Sequence, residues 1–413
     1  MATGKGPLEG IKVVEFGSTV AAPFCCRLLA DFGAEVIKVE PPEGDVLRWI
    51  GARHDDVNLY ATSVLRNKRL VAMDLKQPAA LALARRLAER ADIVVENFRP
   101  GTLERLGLGY ETLSQANPGL VLVRISGFGQ SGPYRERAGY GVVAEAMAGV
   151  RHMTGDPDRP PARVGVAMTD QLTAVYAAFG AMMALRHRDA TGRGQVVDAA
   201  LYECAFSLME QHVPAYQKAG MVPMRAGSGL SDAAPNNLFD AANGAYVHVA
   251  ANGDAVFRRL MQTIGRADLA DAPRFRTAAD RAANKQQLDA AINAWTSSRD
   301  ARQIEETLVA AGVPASRVFT MADIFADPHY GAREMLLSVP HPALGEVVQA
   351  GIAPKLSASP GRVDWAGARL GEHTEEILRT VLGVGDSQIE ALRRARAIVC
   401  ADGPADGAAL AAG

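Results

Sequence analysis

The amino-terminal half of the chain alternates short runs of β-branched residues with segments of helical periodicity, and this alternation constrains the fold most. Helix-like segments such as PFCCRLLADF and PAALALARRLAERA lie between the runs. Strands that alternate with helices build a parallel sheet with helices on both faces. The pattern therefore predicts a large, doubly wound, Rossmann-like α/β domain. The predicted strands cover residues 11–16, 35–39, 70–75, 93–96 and 120–125.

The second half of the chain predicts a smaller α/β domain. A long helix begins near Asp170, and a second helical run covers residues 199–211. Residues 213–237 are rich in Pro, Gly, Ser and Ala without periodicity, which is typical of a linker. A strand at residues 245–250 and three helices near residues 255–264, 288–295 and 301–311 then follow.

These segments predict a chain that leaves the large domain and returns to it. Residues 400–413 are rich in small residues, and we expect a disordered tail there. The expected organisation is residues 1–212 in the large domain, 213–237 as linker, 238–325 as small domain, and 326–399 as a linker and a segment returning to the large domain.

Composition excludes several functional classes. The 413 residues carry 44 basic and 46 acidic side chains, so the overall charge favours neither nucleic acid nor an anionic membrane surface as a partner. The four cysteines form no C-x-x-C pair and no ligand spacing with histidine, which argues against a disulfide scaffold or a structural zinc site. No apolar run approaches the roughly 20 residues of a membrane span. We expect a cytoplasmic protein without a metal site.

Asp170 stands at the start of the long helix pattern, in the segment VGVAMTDQL. Aspartate is a preferred N-cap, and its charge complements the helix dipole. Thr169 could cap the helix instead and leave the Asp170 carboxylate available for chemistry, so the pattern alone leaves both readings open. The apolar residues of this helix recur at three- and four-residue spacing and predict a core-facing stripe of Leu172, Val175, Tyr176, Phe179 and Met183.

The motif G-x-G-x-x-G occurs at residues 127–132, directly after a predicted strand. A dinucleotide site would need an apolar helix next, whose amino end receives the pyrophosphate. The sequence PYRER follows instead. The glycines therefore indicate a tight loop that approaches a ligand or a partner chain, rather than a nicotinamide site.

Basic and polar residues follow several of the predicted strands, where open α/β sheets bind their ligands. Arg48, Lys76 and Arg105 are examples, and a solvated rim of the sheet is the alternative reading. None of the eight histidines forms an H-x-x-x-H or H-E-x-x-H pair, and G-x-S-x-G is absent from the sequence. A hydrolase or a metalloenzyme is therefore not indicated.

Several long motifs, taken in order, resemble the family III CoA-transferases, also called the CaiB/BaiF family. The similarity extends from about Pro7 to Val399. It is carried by PLEGIKVVEFGSTVAAP, GAEVIKVEPPEGD, NKRLVAMDLK, VVENFRPGTLERLGLGYE, ISGFGQSGPYRERAGY, GVAMTD, TGRGQVVDAALYE and LGEHTEEIL.

The resemblance implies an architecture and a set of site residues. Members have a large and a small α/β domain, and two open-ring subunits interlock as a homodimer. The nucleophile of the family matches Asp170. An arginine that often binds CoA phosphate is replaced by Pro41, and Arg48 or Arg137 could take its place. The positions that match the CoA-binding motifs are Val20, Ala21, Met73, Lys76, Asn97, Phe98 and Arg105, to which we add Arg137.

The resemblance also implies the chemistry. An aspartate carboxylate attacks an acyl-CoA thioester and carries CoA to a free acid through anhydride and aspartyl-CoA intermediates. The CoA thioester is the substrate, and no metal or prosthetic group is required. The small-domain GGGG run of the oxalate-specific branch is missing, and Gly141 follows Tyr140 where that branch has glutamate. Transfer between dicarboxylates, with succinyl-CoA as a candidate donor, is favoured instead.

The sequence is compatible with two alternatives. The α-methylacyl-CoA racemases resemble this chain, but they pair the aspartate with a histidine where Tyr140 stands here. Tyrosine, with an ordinary pKa of about 10, is a poor base near neutral pH. The other alternative is a non-catalytic CoA-binding protein in which Asp170 is only a helix cap.

Overall fold

The computed structural model describes residues 6–401, and residue contacts divide this range into two compact units. Unit 1 comprises residues 6–148, 165–209 and 329–401, and unit 2 comprises residues 149–164 and 210–328. The chain thus enters unit 2 twice and returns to unit 1 each time.

The strands within residues 6–401 are two to six residues long. They are β1 Lys12–Glu15, β2 Glu35–Glu40, β3 Arg53–His54, β4 Val57–Asn58, β5 Lys68–Met73, β6 Ile93–Glu96, β7 Val121–Ser126, β8 Val196–Ala200, β9 Asn236–Asp240, β10 Tyr246–Ala250, β11 Ala315–Arg317, β12 Leu336–His341, β13 Gly345–Ala350 and β14 Ile398–Val399.

The α-helices occupy most of the remaining chain. They are α1 Ala21–Asp31, α2 Leu59–Val64, α3 Pro78–Glu89, α4 Thr102–Arg105, α5 Tyr110–Ala116, α6 Gly141–Met147, α7 Val150–Met153, α8 Met168–Thr191, α9 Leu201–Phe206, α10 His212–Ala219, α11 Asp254–Thr263, α12 Ala267–Asp271, α13 Ala278–Ala283, α14 Lys285–Thr296, α15 Ala301–Ala310, α16 Met321–Ala326, α17 Pro328–Ala332, α18 Thr374–Thr380 and α19 Asp386–Arg394. Short 3-10 helices lie at Val46–Trp49, Ser207–Met209 and Pro273–Phe275.

Unit 1 is built on a seven-stranded sheet with the order β14-β5-β2-β1-β6-β7-β8. Every neighbouring pair is parallel except β14 with β5, which is antiparallel. From β1 the chain builds outward on one side through β2 and β5, and on the other side through β6, β7 and β8. This is the predicted doubly wound arrangement, with one antiparallel edge strand.

Alternate residues of the central strands belong to two separate hydrophobic clusters, which shows that both faces of the sheet are buried. Val14, Val94 and Leu122 pack with α3, α5, α18 and α19 on one face. Their neighbours along the strands, such as Val13 and Val95, pack with α1 and α8 on the other.

The five predicted amino-terminal strands are confirmed, with shifts of one or two residues at their ends. The prediction of one helix over residues 199–211 is wrong at its ends. Residues 199 and 200 belong to β8, and α9 followed directly by a 3-10 helix covers residues 201–209. Pairing with β7 extends the parallel sheet through Ala199 and Ala200, which are buried, so tertiary pairing outweighs local helix propensity at these two residues.

The prediction that the large apolar residues of α8 face the core is also wrong. Val175, Tyr176, Phe179 and Met183 are 51%, 43%, 60% and 51% exposed in the single chain. The buried stripe consists instead mainly of small residues: Ala174, Ala177, Ala181 and Ala184 are all fully buried. Alanine lets α8 pack closely on α1 and the sheet, so the bulky residues occupy the outer face.

Unit 2 contains a three-stranded antiparallel sheet in the order β11-β10-β9. Its core includes Phe239, Val247 and Val249 from the strands, with Phe257 from α11 and Ile304 from α15 among the helical residues. Helix α10 and the start of β9 lie in the segment predicted as a linker. The domain limits stay a prediction, and the predicted tail, apart from Cys400 and Ala401, lies outside the described residues.

No helix within residues 6–401 combines the length and the apolarity that crossing a bilayer requires.

Candidate active site

The sheet of unit 1 reverses its winding direction between β1 and β6, which lie side by side. In open α/β sheets this switch point forms a crevice at the carboxyl ends of the strands, and ligands bind there. Val20 and Ala21 follow β1, and Asn97 and Phe98 follow β6. The fold therefore brings these four predicted residues to the two sides of one crevice.

The turn between β1 and α1, residues 17–19, is held by side chains from other segments. The Ser18 N–H donates to Asn97 Oδ1 and the Asn97 Nδ2 donates to the Ser18 carbonyl, both over 2.8 Å. The Thr19 N–H donates to Asp45 Oδ1 over 2.8 Å. Thr19 has a φ of 69°, in the left-handed region that side chains disfavour. Asn97 thus joins the two loops of the crevice.

A fully buried charge cluster supports this turn from beneath. Lys38 Nζ lies 2.7 Å from Glu15 Oε1, 2.7 Å from Asp45 Oδ2 and 2.6 Å from the Gly17 carbonyl oxygen. Lys68 Nζ lies 2.7 Å from Glu15 Oε2. Burial alone would raise the pKa of Glu15, but the two ammonium groups outweigh it and hold this pKa below its ordinary value. Glu15 is therefore ionised at neutral pH.

A second ion-pair group supports the loop after β6. Arg124 donates from Nε to Glu96 Oε1 over 2.8 Å and from Nη1 to Glu104 Oε1 over 2.7 Å. Glu96 Oε2 accepts the Phe98 N–H over 2.7 Å. Because Glu104 lies in α4, Arg124 orients the short helix that carries Arg105. Arg105 itself is exposed, with one Nη bonded to Thr102 Oγ1 over 2.8 Å.

The predicted residues near the end of β5 differ in accessibility. Met73 is fully buried in the core, so a ligand contact at this position would involve the main chain. Lys76 is exposed. Arg48 forms a bidentate ion pair with Glu40, with Nε–Oε1 and Nη2–Oε2 distances of 2.8 and 2.7 Å. Arg48, a candidate to replace the phosphate-binding arginine that is missing at Pro41, is therefore already paired with Glu40.

Asp170 is the third residue of α8, and neither Asp170 nor Thr169 is the N-cap. The helix begins at Met168, Ala167 is the N-cap, and no side chain caps it. The capping reading of both residues is therefore wrong. Thr169 is instead 2% exposed, and its Oγ1 has no hydrogen-bond partner among residues 6–401.

The Asp170 carboxylate lies directly against Gly141, the first residue of α6. A Cβ atom built at Gly141 would lie 2.0 Å from Asp170 Oδ2 and 2.9 Å from Asp170 Cγ. Only a residue without a side chain permits this approach. The carboxylate is thus placed between the first turns of α8 and α6, where helix dipoles favour negative charge.

Tyr60 of α2 completes the surroundings of Asp170. Burial and the nearby Asp170 charge together raise the pKa of the Tyr60 phenol, whose oxygen also bonds the Gln171 side chain. The phenol therefore keeps its proton at neutral pH. Tyr140, immediately before Gly141, is 68% exposed.

Arg137 lies in the long loop between β7 and α6, where its guanidinium carbon stacks 3.4 Å from the centroid of the Tyr134 ring. The G-x-G-x-x-G segment begins this loop, and turns rather than a helix follow it. A Cβ at Gly127 would lie 2.9 Å from the Gly139 Cα, so the two glycines close the loop on itself. This geometry agrees with a tight loop rather than a dinucleotide fingerprint.

Two cavities of unit 1, of about 900 and 550 Å³, lie at other surfaces and share His341, Pro342, Gly367 and Ala368. Neither is lined by Asp170 or by the 17–19 turn. Within residues 6–401, no three His, Cys, Asp or Glu side chains are grouped as a metal site would require.

Sequence reasoning did not identify Lys38, Asp45, Tyr60 or Arg124 as parts of the site. Each of these residues contacts a partner that is distant in the sequence, and the spacing of neighbouring residues does not predict such a contact. Gly141 could have been identified from the sequence as a candidate, because a glycine has no side chain and permits close approach of another group. Its partner, Asp170, became visible in the tertiary structure.

Comparison with known proteins places most of the chain in one family. Residues 8–374 match the family described as CoA-transferase family III. The chain is 45% identical over 394 residues to the succinyl-CoA–D-citramalate CoA-transferase of Chloroflexus aurantiacus, covering 95% of this chain and 98% of that protein.

Two further relatives agree with this match. The succinyl-CoA:mesaconate CoA-transferase of Haloarcula hispanica is 37% identical over 397 residues, covering 93% of this chain and 99% of the relative. The crystal structure of a CaiB/BaiF family protein from Brucella suis superposes with a TM-score of 0.81 at 35% identity, covering 90% of this chain and 98% of that one.

Proposed function

The chain belongs to CoA-transferase family III, and we propose that it moves CoA from succinyl-CoA to a short, branched or hydroxylated dicarboxylic acid. The names of two relatives support the choice of substrates, since both join succinyl-CoA to such a diacid, D-citramalate or mesaconate. The observation that carries the proposed mechanism is the Asp170 carboxylate, which Gly141 accommodates at the first turns of two helices.

We assign the nucleophile to Asp170. One carboxylate oxygen attacks the thioester carbon of succinyl-CoA, the carbon–sulfur bond breaks, and CoA leaves as the thiolate. The thiolate then attacks the Asp170 Cγ of the mixed anhydride and releases succinate. Asp170 now carries CoA as a thioester, so the bond energy of the donor is retained.

The second half-reaction repeats these steps in reverse order. The acceptor carboxylate attacks Asp170 Cγ and expels the thiolate, which gives a second anhydride. The thiolate attacks the acceptor's acyl carbon and frees the Asp170 carboxylate. Each tetrahedral oxyanion needs N–H donors, which the first turns of α8 and α6 can supply. The cycle uses CoA thioesters as substrates and calls for no metal or further cofactor.

We place CoA at the crevice between β1 and β6. Val20 and Ala21 on one side, and Asn97 and Phe98 on the other, support this position because they flank the switch point. Lys76 and Arg105 follow β5 and β6 and are exposed, so both can reach phosphate. Arg137 is also exposed, and we assign to it part of the phosphate contact that Pro41 cannot make.

The experiment that tests this function is the substitution Asp170→Ala. We expect transfer from succinyl-CoA to be abolished while CoA affinity changes by no more than a few-fold, since the residue attacks carbon and does not hold the nucleotide. Retention of more than about a tenth of the wild-type kcat would refute the mechanism. Incubation with succinyl-CoA followed by hydroxylamine should modify Asp170, whereas an unmodified peptide would favour a non-catalytic CoA-binding protein.

An assay of several donor and acceptor pairs identifies the acceptor acid. Succinyl-CoA as donor is tested against mono- and dicarboxylates, with acetyl-CoA as a second donor. Deuterium entering the α-carbon of a chiral 2-methylacyl-CoA without any acceptor acid would instead indicate racemase activity.

We also propose that the enzyme is an interlocked homodimer in the cytoplasm. The exposed apolar face of α8 supports burial by a second copy, because Val175, Tyr176, Phe179 and Met183 form one contiguous surface. All four cysteines are free thiols, which supports a reducing compartment. Two differently tagged preparations, mixed at nanomolar concentration for days, should form no hybrid dimers, whereas co-refolding should form them. Rapid native exchange would refute interlocking.

A further inference from the structure

The turn that precedes α1 has four of its six polar main-chain groups held by side chains from elsewhere in the fold. Lys38 Nζ donates to the Gly17 carbonyl over 2.6 Å, Asn97 binds both main-chain groups of Ser18, and Asp45 accepts the Thr19 N–H. These three side chains come from β2, from the loop after β2 and from the loop after β6. Such a turn cannot change its conformation without breaking several hydrogen bonds.

Thr19 explains why the turn needs this support. Its φ of 69° is unusual for a residue with a β-branched side chain, and such conformations persist where the surroundings over-determine them. Asp45 supplies the decisive contact: its Oδ1 accepts from the Thr19 and Leu47 N–H groups, over 2.8 and 2.9 Å. The same carboxylate thereby links the turn to the 3-10 helix at Val46–Trp49.

Burial makes the Asp45 contact rigid. Asp45 is 1% exposed and Lys38 is fully buried, and the two are joined over 2.7 Å. Lys38 is in turn fixed by Glu15, whose other oxygen binds Lys68. A charge in such a position cannot rotate into solvent, so the oxygen that receives the Thr19 N–H is held in one place.

We propose that Asp45, Lys38 and Asn97 are positioning residues for CoA binding, which act by holding the 17–19 turn in the conformation that presents Val20 and Ala21. Asn97 acts on the ligand through Ser18 rather than by touching CoA with its side chain. This inference rests on the proposed function for the position of CoA. The state of the turn can nevertheless be measured without any ligand.

The first experiment follows hydrogen–deuterium exchange of the peptide over residues 16–24 in the ligand-free protein. Asp45→Ala and Asn97→Ala should each speed exchange of this peptide, since each removes an acceptor of a turn N–H. Arg188→Met is the control, because it breaks an ion pair that does not involve the turn, Arg188 with Asp92 over 2.7 Å, at the far end of α8. Unchanged exchange in both folded variants would overturn the proposal.

The second experiment is a double-mutant cycle on the affinity for free CoA, measured by calorimetry. Each single substitution should weaken binding about tenfold, as expected for loss of one well-placed hydrogen bond. The double variant should bind no more than about threefold more weakly than the weaker single variant, because both changes release the same turn. Additive losses of about a hundredfold would mean that Asn97 contacts CoA directly, and would overturn its positioning role.

Kinetics separates positioning from a general structural effect. The variants should raise the KM for succinyl-CoA and leave the KM for the acceptor acid unchanged, whereas the Arg188→Met enzyme should show neither change. If Asp45→Ala does not fold, Asp45→Asn replaces it: the amide keeps an oxygen for the Thr19 N–H but turns N–H toward Lys38, so exchange should rise by less. A wild-type protein that binds no CoA would refute the proposed function, while the exchange experiment would still decide whether these residues hold the turn.

Discussion

Replacing Gly141 with alanine should impair catalysis far more than stability. The new Cβ would lie 2.0 Å from Asp170 Oδ2, well below the 3.0 Å under which Cβ contacts are essentially never observed. The carboxylate must therefore move by about 1 Å or rotate away. Displacement of a reacting group by about 1 Å can lower the rate roughly a hundredfold. We expect a loss in kcat of this order for transfer from succinyl-CoA.

The stability of the same variant should change little. Overpacking costs about 1–3 kcal/mol, but replacing glycine by alanine stabilises by about 0.4–1 kcal/mol where the backbone permits it. Gly141 lies in the first turn of α6 and its φ is not in the left-handed region, so alanine fits the backbone. The clashing atom is the end of a flexible side chain. The net loss in the free energy of unfolding should therefore lie between about 0 and 2.5 kcal/mol.

The assay compares kcat, CoA affinity and thermal unfolding of Gly141→Ala with those of Gly385→Ala. Gly385 is the N-cap of α19 in unit 1, has a φ of −76°, and has no atom within 4 Å of a built Cβ. The control should keep wild-type kcat. If Gly141→Ala retained kcat within about threefold of wild type, the position of Asp170 beside Gly141 would not be the one that the reaction uses.

Three further predictions follow from burial and charge. Because the folded-state pKa of Glu15 is below its ordinary 4.5, its ion pairs stabilise the fold above that pH, and this stabilisation is lost as pH falls through the folded pKa. Glu15→Gln should therefore be less stable than wild type at neutral pH. In urea unfolding measured against pH, the stability of this variant should also fall less steeply at acid pH. Burial raises the pKa of the Cys25 thiol to about 12, so iodoacetamide should not label Cys25 in the native protein at pH 8, and rapid labelling seen by mass spectrometry would contradict this. Phe179→Asp should lower the yield of dimer in light scattering, whereas Arg186→Asp, at the exposed end of the same helix, should not.

Comparison of α8 with the strands shows where local pattern is a reliable guide. The central strands of the large sheet are rich in β-branched residues and buried on both faces, so their pattern needs no knowledge of partners. Along α8 the apolar spacing predicted the wrong face. Periodicity shows that α8 has apolar residues on one face, but it does not show which face is buried. The helix has one face of alanines and another of large apolar residues, and the space left by neighbouring elements decides which face packs in the core.

The candidate site shows the same division. The resemblance of the segment around Asp170 to a family motif was enough to propose the nucleophile, and the strand order was enough to expect ligand residues beyond the strand ends. The roles of their neighbours required the folded chain. Asn97 and Ser18 are 79 residues apart, and Asp45 and Thr19 are 26 apart.

Local sequence thus determined the alternating α/β order and the family, and it indicated Asp170 as the proposed nucleophile, because helix and strand periods and contiguous motifs are properties of short segments. The tertiary structure alone decided which side of α8 is buried, that Asp170 meets Gly141, and that buried charges hold the 17–19 turn. Each of these depends on distances between residues that are remote in the chain. Such distances are set when the sheet and its helices pack together, and no spacing along the sequence encodes them.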